Sequence, residues 1–284
     1  MAMVWLITGA SSGLGDGIAR AVLDRGDFAA VTSRDTNRLK SLAEQYPNQV
    51  FPLSLDLNHP VSIQQAVQSV QERFGKVDVL VNNAGYGYRA AIEESEPEAV
   101  RELFSVNFFG PMELTRQLLP QMRERHSGLI ISVSSIGAVR GALGNGYYSA
   151  AKGALELACE ALAKEVQPLG IRVMLAEPGA LRTGSYGERL KSSPASIADY
   201  DALAGKYRKN NKTDSHDQPG DPIRAGKLLV ETALRQDAPF RLLLGSDALH
   251  AAVDTLESRL REARVWAEVS SCADFDEKQP LNNK

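Results

Sequence analysis

A tyrosine and a lysine four residues apart, Tyr148 and Lys152, are the pair in this 284-residue chain best suited to acid-base chemistry. On a helix this spacing places both side chains on one face, a single turn apart, so the ammonium group lies near the phenol. Lowering the pKa of a tyrosine by about three units requires roughly 4 kcal/mol of preference for the phenolate, which a neighbouring cation supplies. The spacing therefore predicts a phenol that exchanges a proton near neutral pH, although it also occurs on helices without such a role.

A glycine-rich turn follows the first apolar segment, with the sequence TGASSGLG at residues 8–15. Without a Cβ, glycine lets the backbone turn tightly and a diphosphate approach it, while free N–H groups at the start of the next helix attract negative charge. Ser11 and Ser12 add hydroxyl groups. A tight connection without a ligand is the alternative, but a turn between the first strand and the first helix favours a dinucleotide site.

The end of the second predicted strand carries a cation and an anion, Arg34 and Asp35, which bear on the choice of nucleotide. A carboxylate here holds the ribose hydroxyls of NAD, whereas a guanidinium accepts the extra phosphate of NADP. If the strand ends at Ser33, Arg34 points toward the ribose and Asp35 caps a helix at residues 36–46, so NADP is favoured. A strand end displaced by one residue reverses this assignment, and NAD stays open.

Seven short apolar or β-branched segments are predicted to be strands, with helical periodicity between them. Several are apolar throughout, as expected of strands covered on both faces in a parallel sheet. The alternation predicts an α/β fold with one doubly wound sheet of seven parallel strands, in a single domain over residues 1–284. The predicted strands are residues 3–8, 28–33, 50–55, 77–82, 129–134, 171–176 and 240–244.

The segment at residues 181–221 departs from this alternation, because serine, proline, glycine and charged residues cluster there. Loops this long in compact domains are usually functional or disordered, so we predict a substrate lid, with a solvated loop as the alternative. Residues 270–284 are polar and are predicted to form a frayed tail.

The composition argues against several other classes of protein. The apolar fraction of 43% and the charged fraction of 24% are typical of a folded globular protein, and the net charge of −3 argues against nucleic acid binding. Two cysteines are too few for a disulfide framework, and neither they nor the four histidines have metal-ligand spacing, so no metal is predicted. No apolar run approaches about 20 residues and the start has no basic leader, which predicts a cytoplasmic protein without a membrane span.

Together these motifs resemble those of the short-chain dehydrogenase/reductase family, in its one-domain branch of the 17-beta-hydroxysteroid and retinol dehydrogenase type. The resemblance covers about residues 3–245. Besides the glycine-rich turn and the pair Tyr148 and Lys152, it rests on motifs near the ends of other predicted elements. These are Asp56-Leu57, the NNAG sequence at residues 82–85, Asn107 in a long helix, Ser135, and the PGALRT sequence at residues 178–183.

The resemblance implies a Rossmann-type fold and a hydride transfer between nicotinamide C4 and a carbonyl or alcohol carbon, with Tyr148 passing the proton. It implies that Ser135 polarises the substrate oxygen, that Lys152 lowers the phenol pKa and holds the nicotinamide ribose, and that Asn107 supports a water linking Lys152 to solvent. The implied cofactor-binding residues are Gly9, Ser11, Ser12, Gly13, Leu14, Gly15, Arg34, Asp56, Leu57, Asn83, Ala84, Gly85, Tyr148, Lys152, Pro178, Gly179 and Thr183.

The resemblance leaves the substrate open, with a preference for small or lipophilic alcohols and ketones. NADP as cofactor would favour reduction. Family members commonly pair through the helices predicted here at about residues 98–125 and 147–167, which predicts a homodimer or homotetramer. Four residues are candidates either to line the substrate cavity or to pack in the core: Tyr86, Tyr88, Leu143 and Tyr186.

Two other functions compete with this one. An NADP-sensing protein would keep the nucleotide site but catalyse no reaction, and it would not need Asn107, Ser135, Tyr148 and Lys152, all of which are present. A sugar-nucleotide epimerase would have a different glycine spacing and a larger C-terminal substrate region. The sequence therefore favours the oxidoreductase.

Overall fold

Strands and helices alternate along the described part of the chain, residues 2–183, 190–210 and 217–275 of a computed structural model. The strands are β1 (Val4–Ile7), β2 (Phe28–Ser33), β3 (Val50–Ser54), β4 (Val79–Asn82), β5 (Gly87–Arg89), β6 (Gly128–Val133), β7 (Ile171–Pro178), β8 (Leu190–Ser192) and β9 (Arg241–Leu244). The α-helices are α1 (Gly13–Asp24), α2 (Lys40–Gln45), α3 (Pro60–Phe74), α4 (Pro97–Phe104), α5 (Gly110–Glu124), α6 (Ile136–Val139), α7 (Gly146–Val166), α8 (Ala204–Asn210), α9 (Pro222–Ala233), α10 (Ser246–Val265) and α11 (Ala267–Ser271).

Seven of these strands form one parallel sheet with the order β3-β2-β1-β4-β6-β7-β9. From β1 the chain continues to β2 and β3 on one side and then crosses to β4 on the other, so the order reverses between β1 and β4. Ligands of doubly wound sheets bind outside the carboxyl ends of the strands at such a reversal. The predicted seven-stranded sheet is confirmed, and each of its seven strands begins and ends within two residues of its predicted bounds.

Both faces of the sheet are buried, which explains why its strands are apolar throughout. In β1, Trp5 and Ile7 face the core beneath α1 and α9, whereas Val4 and Leu6 face the core beneath α3 and α5. The polar atom of the Trp5 side chain is satisfied, because the indole N–H donates a hydrogen bond of 3.3 Å to the Asp27 carboxylate. Close packing on both faces gives the strand ends a rigid base.

The helix predicted at residues 98–125 is interrupted. It consists of α4, a wide π-helical turn at Ser105–Phe109, and α5. Pro111 has no N–H group, so it cannot donate the hydrogen bond that would continue a regular helix through this point. The interruption places Asn107 in the wide turn instead of a regular helix.

The helix predicted at residues 36–46 also differs in detail. It begins with a 3₁₀ turn at Thr36–Leu39 and becomes α-helical only at α2. Asp35 caps it as predicted, because its carboxylate accepts a hydrogen bond from the backbone N–H of Asn37 at 3.0 Å. β2 ends at Ser33, the condition on which the prediction of NADP depended.

A second, two-stranded parallel sheet joins β5 to β8, with Gly87 opposite Leu190 and Arg89 opposite Ser192. β8 lies within the predicted lid, whose described parts also contain α8 and a bridge between Leu181 and Gly220. Residues 184–189, with Tyr186, and residues 211–216 lie outside the described residues. The described strand β8 of the predicted lid therefore pairs with the segment that follows β4.

The C-terminal region is more helical than predicted. α10 runs over twenty residues beyond β9, and α11 extends to Ser271, within the predicted tail. Residues 276–284 of that tail lie outside the described residues. No helix in the described part of the chain is long and apolar enough to cross a membrane.

Candidate active site

The glycine-rich turn joins β1 to α1 and is held against the loop that follows β4. Gly9 and Gly13 have φ angles of +69° and +62°, which other residues rarely adopt. A Cβ on Gly9 would lie 2.9 Å from the Cα of Ala84, so a side chain there would displace the neighbouring loop. The Thr8 hydroxyl accepts hydrogen bonds from the backbone N–H groups of Asn83 and Ala84, both at 2.9 Å. These contacts fix the N-terminus of α1 at the edge where the strand order reverses.

A cavity of about 380 Å³ lies beside this turn, at the carboxyl ends of β1, β2 and β3. Arg34 and Arg38 line it and are exposed, and the described residues contain no ion-pair partner for either. Asp35 also lines the cavity, but one of its carboxylate oxygens accepts hydrogen bonds from the backbone and side-chain N–H groups of Asn37. The cavity therefore offers two guanidinium groups to an anion. Predicted cofactor residues that line it as well are Gly9, Ser11, Asp56, Leu57, Ala84 and Gly85.

A second cavity of about 600 Å³ adjoins the first, since Gly85 and Tyr86 line both. Its lining includes the four residues predicted to perform the chemistry, Asn107, Ser135, Tyr148 and Lys152. Predicted cofactor residues in its walls are Leu14, Asn83, Pro178 and Thr183. Ser12, Gly13, Gly15 and Gly179 are not lining residues of either cavity. The two cavities together follow the carboxyl edge of the sheet, as an extended dinucleotide requires.

Ser135 and Tyr148 meet at one wall of the larger cavity. Ser135 follows β6 and caps α6, because its hydroxyl accepts a hydrogen bond from the backbone N–H of Gly137 at 3.0 Å. Tyr148 lies in the first turn of α7. A Cβ on Gly137 would lie 3.3 Å from the Ser135 Oγ atom and 3.4 Å from the Tyr148 Cε1 atom. The hydroxyl and the phenol ring therefore flank the same point.

Lys152 lies one helical turn beyond Tyr148 on α7, as the spacing predicts, and its ammonium group is buried. Its Nζ atom donates a hydrogen bond of 2.9 Å to the backbone carbonyl of Val133 at the end of β6. Burial lowers the pKa of Lys152 to about 8, and the nearby carboxylate of Glu156 opposes this effect. Lys152 is therefore mainly protonated at pH 7 but titrates close to that pH.

Asn107 faces Lys152 from the wide π-helical turn. Its side-chain amide donates hydrogen bonds of 3.1 Å to the carbonyl groups of Tyr86 and Leu103, which fixes its orientation. A Cβ on Gly85 would lie 2.6 Å from the Asn107 Oδ1 atom and 3.4 Å from the Lys152 Nζ atom. Oδ1 is buried and has no hydrogen-bond partner among the residues that the structure describes. A polar acceptor is thus held on the side of the cavity where the lysine lies.

A buried acidic network behind Lys152 was not predicted from the sequence. The Ser134 hydroxyl donates a hydrogen bond of 2.6 Å to Glu156, one turn beyond Lys152 on α7. Arg241, at the start of β9, lies 3.9 Å from Glu156 and 3.4 Å from Glu177 on β7. Burial raises the pKa of Glu177 to about 7, and the repulsion of Glu156 adds to the rise while Arg241 opposes it. The pairing of β7 with β9 brings Arg241 close to Glu177.

Replacing Glu177 with glutamine is expected to stabilise the fold at pH 8 by about 1–3 kcal/mol, measured by denaturant unfolding. The pKa of Glu177 rises from 4.5 to about 7 on folding, so between these values the folded state binds more protons than the unfolded state and stability falls as pH rises. Glutamine cannot ionise and avoids that loss, so the gain should disappear below about pH 4.5. Glu160→Gln, which changes an exposed partner of Arg241, is the control. An equal gain at pH 4.5 and pH 8 would contradict this origin.

The loop after β7 is positioned by a residue beyond the predicted region of resemblance, Asp247 on α10. Its carboxylate accepts a hydrogen bond of 2.7 Å from the backbone N–H of Ala180. A Cβ on Gly179 would collide with the same carboxylate, so only glycine fits there. A Cβ on Gly13 would lie 3.0 Å from Thr183, which shows that this loop reaches back to the glycine-rich turn.

Some of the residues predicted to line a substrate cavity lie in the wall of the larger cavity. Tyr86 and Leu143 are lining residues. Tyr88 is not; it is buried against Leu103, and its hydroxyl donates a hydrogen bond of 2.7 Å to Glu96. The described residues contain no group of three or more histidine, cysteine or acidic side chains that could hold a metal ion.

The comparison with known families decides the family of this chain. The model of the family described as short chain dehydrogenase matches residues 3–193. The chain belongs to the short-chain dehydrogenase family. Oxidoreductase BOA17 of Botryotinia fuckeliana is 33% identical over 271 residues, which cover 95% of this chain and 98% of that protein. A 3-ketodihydrosphingosine reductase of Bacteroides thetaiotaomicron is 34% identical over 241 residues, covering 84% and 87%.

Solved structures of other short-chain dehydrogenases have the same fold. One from Streptomyces avermitilis has a TM-score of 0.90 and 40% identity, and the match covers 96% of this chain and 98% of that one. A metagenomic short-chain oxidoreductase in complex with NADP has a TM-score of 0.67 and 25% identity over 85% and 96% of the two chains. The 3-ketoacyl-(acyl-carrier-protein) reductase of Brucella melitensis, complexed with NADH, has a TM-score of 0.72 and 27% identity over 87% and 97%. This short-chain dehydrogenase is therefore an oxidoreductase with a nucleotide-binding fold.

Proposed function

We propose that this short-chain dehydrogenase uses NADP(H) to interconvert a carbonyl group and a secondary alcohol. The observation that carries the proposal is that Ser135, Tyr148, Lys152 and Asn107 surround one cavity, which adjoins the cavity lined by Arg34 and Arg38. The fit of a dinucleotide is supported by the glycine cradle, where a Cβ on Gly9 or Gly15 would collide with the loop after β4. When bound, the nicotinamide supplies or accepts the hydride.

The chain's own residues bind the substrate oxygen and transfer the proton. The Ser135 hydroxyl donates a hydrogen bond to that oxygen, and the Tyr148 phenol transfers its proton to it during reduction. Lys152 favours the resulting phenolate by its charge. Asn107 supports the path by which a proton returns from solvent through Lys152. Consumption of NADPH, followed at 340 nm against a panel of aldehydes and ketones, tests the proposal.

The preference for NADP rests on the two guanidinium groups at the end of the nucleotide cavity. Solved relatives hold NADP in one case and NADH in another, so the family alone does not select the cofactor. In this chain the carboxylate of Asp35 is engaged in capping the following helix, whereas Arg34 and Arg38 line the cavity. A ribose phosphate there would accept hydrogen bonds from both cations.

Replacing Arg34 with aspartate is expected to raise the KM for NADPH by about 10- to 100-fold and to lower the KM for NADH, because each charge-assisted hydrogen bond contributes about 1.5–3 kcal/mol. Steady-state rates with each nucleotide at limiting concentration measure the change. Lys40→Asp alters the net charge equally but lies on α2, outside the cavity lining. An unchanged KM for NADPH in Arg34→Asp would exclude Arg34 as the phosphate ligand.

Several further features belong to this proposal. Residues 1–284 act as one catalytic domain, and residues 181–221 act as the substrate lid, whose strand β8 is attached to β5. The two free cysteines, Cys159 and Cys272, suit a reducing cytoplasm.

A homodimer or homotetramer would pair through the outer faces near α5 and α7, where Phe109 and Leu157 are 59% and 71% exposed. Leu155, Leu162 and Val166 are buried in the chain's own core and take no part in it.

A further inference from the structure

The substrate cavity contains a cation that the proposed reaction does not use. Arg89 lies at the end of β5, and because side chains alternate along a strand, it faces the same side as Gly87 and opposite to Tyr88. Both Gly87 and Arg89 line the cavity that holds Ser135 and Tyr148, whereas Tyr88 is buried on the other side. The strand therefore directs the Arg89 guanidinium toward the space where a substrate would lie.

One hydrogen-bond donor of the Arg89 side chain is unpaired within the described residues. Within the described part of the chain, its buried Nε atom has no hydrogen-bond partner and no carboxylate forms an ion pair with its guanidinium. Its guanidinium lies 6.0 Å from the ring centre of Tyr207 on α8, a contact that holds the group without using its N–H donors. A buried guanidinium donor without an acceptor is costly, and a bound anion would satisfy it.

The other charges around the cavity favour an anion as well. Arg140, at the end of α6, is an exposed lining residue, and the described residues contain no ion-pair partner for it. Lys152 adds a third positive charge, although its Nζ atom is already bonded to Val133. The described lining includes one acidic residue, Asp247, and its carboxylate is bonded to the backbone N–H of Ala180. The described lining of the cavity therefore carries more positive than negative charge.

Apolar side chains form another part of the described lining. Ile136, Ala142, Leu143 and Leu190 are among these residues, and Leu190 belongs to the lid strand β8. A substrate that matches this lining has an apolar body, a carbonyl group that reaches Ser135 and Tyr148, and one anionic group that reaches Arg89. A planar carboxylate fits the fork of a guanidinium with two parallel hydrogen bonds.

From this arrangement we infer that the enzyme acts on oxo acids, lipophilic carbonyl compounds that carry a carboxylate, and that Arg89 binds the carboxylate. The inference rests on the proposed function and narrows its substrate class. The carboxylate takes no part in the reaction itself: the carbonyl carbon gains the hydride, the carbonyl oxygen gains the proton from Tyr148, and the carboxylate stays ionised. Arg89 is thus a residue that determines specificity, and Arg140 assists through its charge.

The test compares three substrates of the same carbon skeleton: an oxo acid, its methyl ester and the ketone that lacks the acid group. With saturating NADPH, kcat/KM for the acid is expected to exceed that for the ester by about 10- to 100-fold in the wild type. Arg89→Met is expected to remove that preference while leaving kcat/KM for the ester and the Kd for NADPH within about threefold. Arg89→Lys should keep part of the preference, and Arg140→Met should lower it by less than Arg89→Met does.

Other outcomes distinguish the inference from the proposed function. Equal rates for acid, ester and ketone in the wild type would overturn the inference but leave the carbonyl reductase activity standing. An equal loss for all three substrates in Arg89→Met would show a structural role and would also overturn it. If Arg89→Met does not fold, the wild-type enzyme still tests the inference. Added salt should lower its kcat/KM for the acid and leave its kcat/KM for the ester unchanged. Absence of turnover with every carbonyl compound, despite NADPH binding, would contradict the proposed function itself.

Discussion

Replacing Tyr148 with phenylalanine is expected to lower kcat by about 10³-fold or more, with the Kd for NADPH changed by less than about threefold. The variant keeps the ring and its packing but loses the proton donor, and general acid catalysis alone contributes about 10²–10⁴-fold. Loss of the hydroxyl also removes a hydrogen bond to the developing oxyanion. Single-turnover absorbance at 340 nm and fluorescence titration of NADPH measure the two quantities separately.

The neighbouring Tyr147 provides a matched control for this change. It packs in the same apolar cluster as Tyr148, beside Tyr88 and Leu103, but is not a lining residue of the cavity. Tyr147→Phe should therefore retain kcat within about threefold. Near-normal turnover in Tyr148→Phe, or an equal loss in both variants, would remove the phenol from the mechanism.

Replacing Lys152 with methionine is expected to lower kcat by about 10²–10³-fold and to raise the KM for NADPH. Methionine fills similar space but lacks the charge that favours the phenolate, and it lacks the donor now bonded to Val133. The pH at which alcohol oxidation reaches half its maximal rate should also move upward, because the phenol becomes harder to deprotonate without the neighbouring cation. Rates of oxidation between pH 6 and pH 10 measure this displacement.

Lys164 lies three turns further along α7 and serves as the control for Lys152. Its ammonium group is exposed and pairs with Glu160 at 3.0 Å. Lys164→Met changes the net charge and the helix equally but should leave kcat and its pH dependence unchanged. A lowered kcat without any displacement of the pH profile in Lys152→Met would assign the lysine a purely structural role.

Local sequence patterns were sufficient to predict the sheet and the shared helix face of Tyr148 and Lys152, whereas Ser135 and Asn107 were predicted only from the family resemblance. The continuous apolar strands require helices on both faces, and the spacing of Tyr148 and Lys152 requires one helix face, as found in α7. The glycine-rich sequence predicted a tight turn between the first strand and the first helix, and Gly9 and Gly13 have positive φ angles in that turn. These are short-range constraints, so a single sequence contains them.

Features that depend on distant parts of the chain were not predictable in the same way. Glu177 and Arg241 meet only because β7 and β9 pair in one particular register. Arg89 enters the cavity because the three-residue strand β5 pairs with β8, about 100 residues later, and both strands are too short to show alternation. Asp247 holds the loop after β7 from a helix beyond the predicted region of resemblance. Each of these three contacts depends on tertiary packing. Arg38 is a different case, because it was not predicted as a cavity residue although it lies only four residues beyond Arg34.

The direct test of the central claim is transfer of deuterium from NADPH labelled at nicotinamide C4 to the product alcohol. With an accepted carbonyl substrate, mass spectrometry should find one deuterium on the carbinol carbon of the wild-type product when the transferred face is labelled. Label on the opposite face should stay with the nucleotide, and Tyr148→Phe should slow incorporation about 10³-fold or more. Saturable NADPH binding without incorporation into any carbonyl compound would contradict the account and favour a nucleotide sensor.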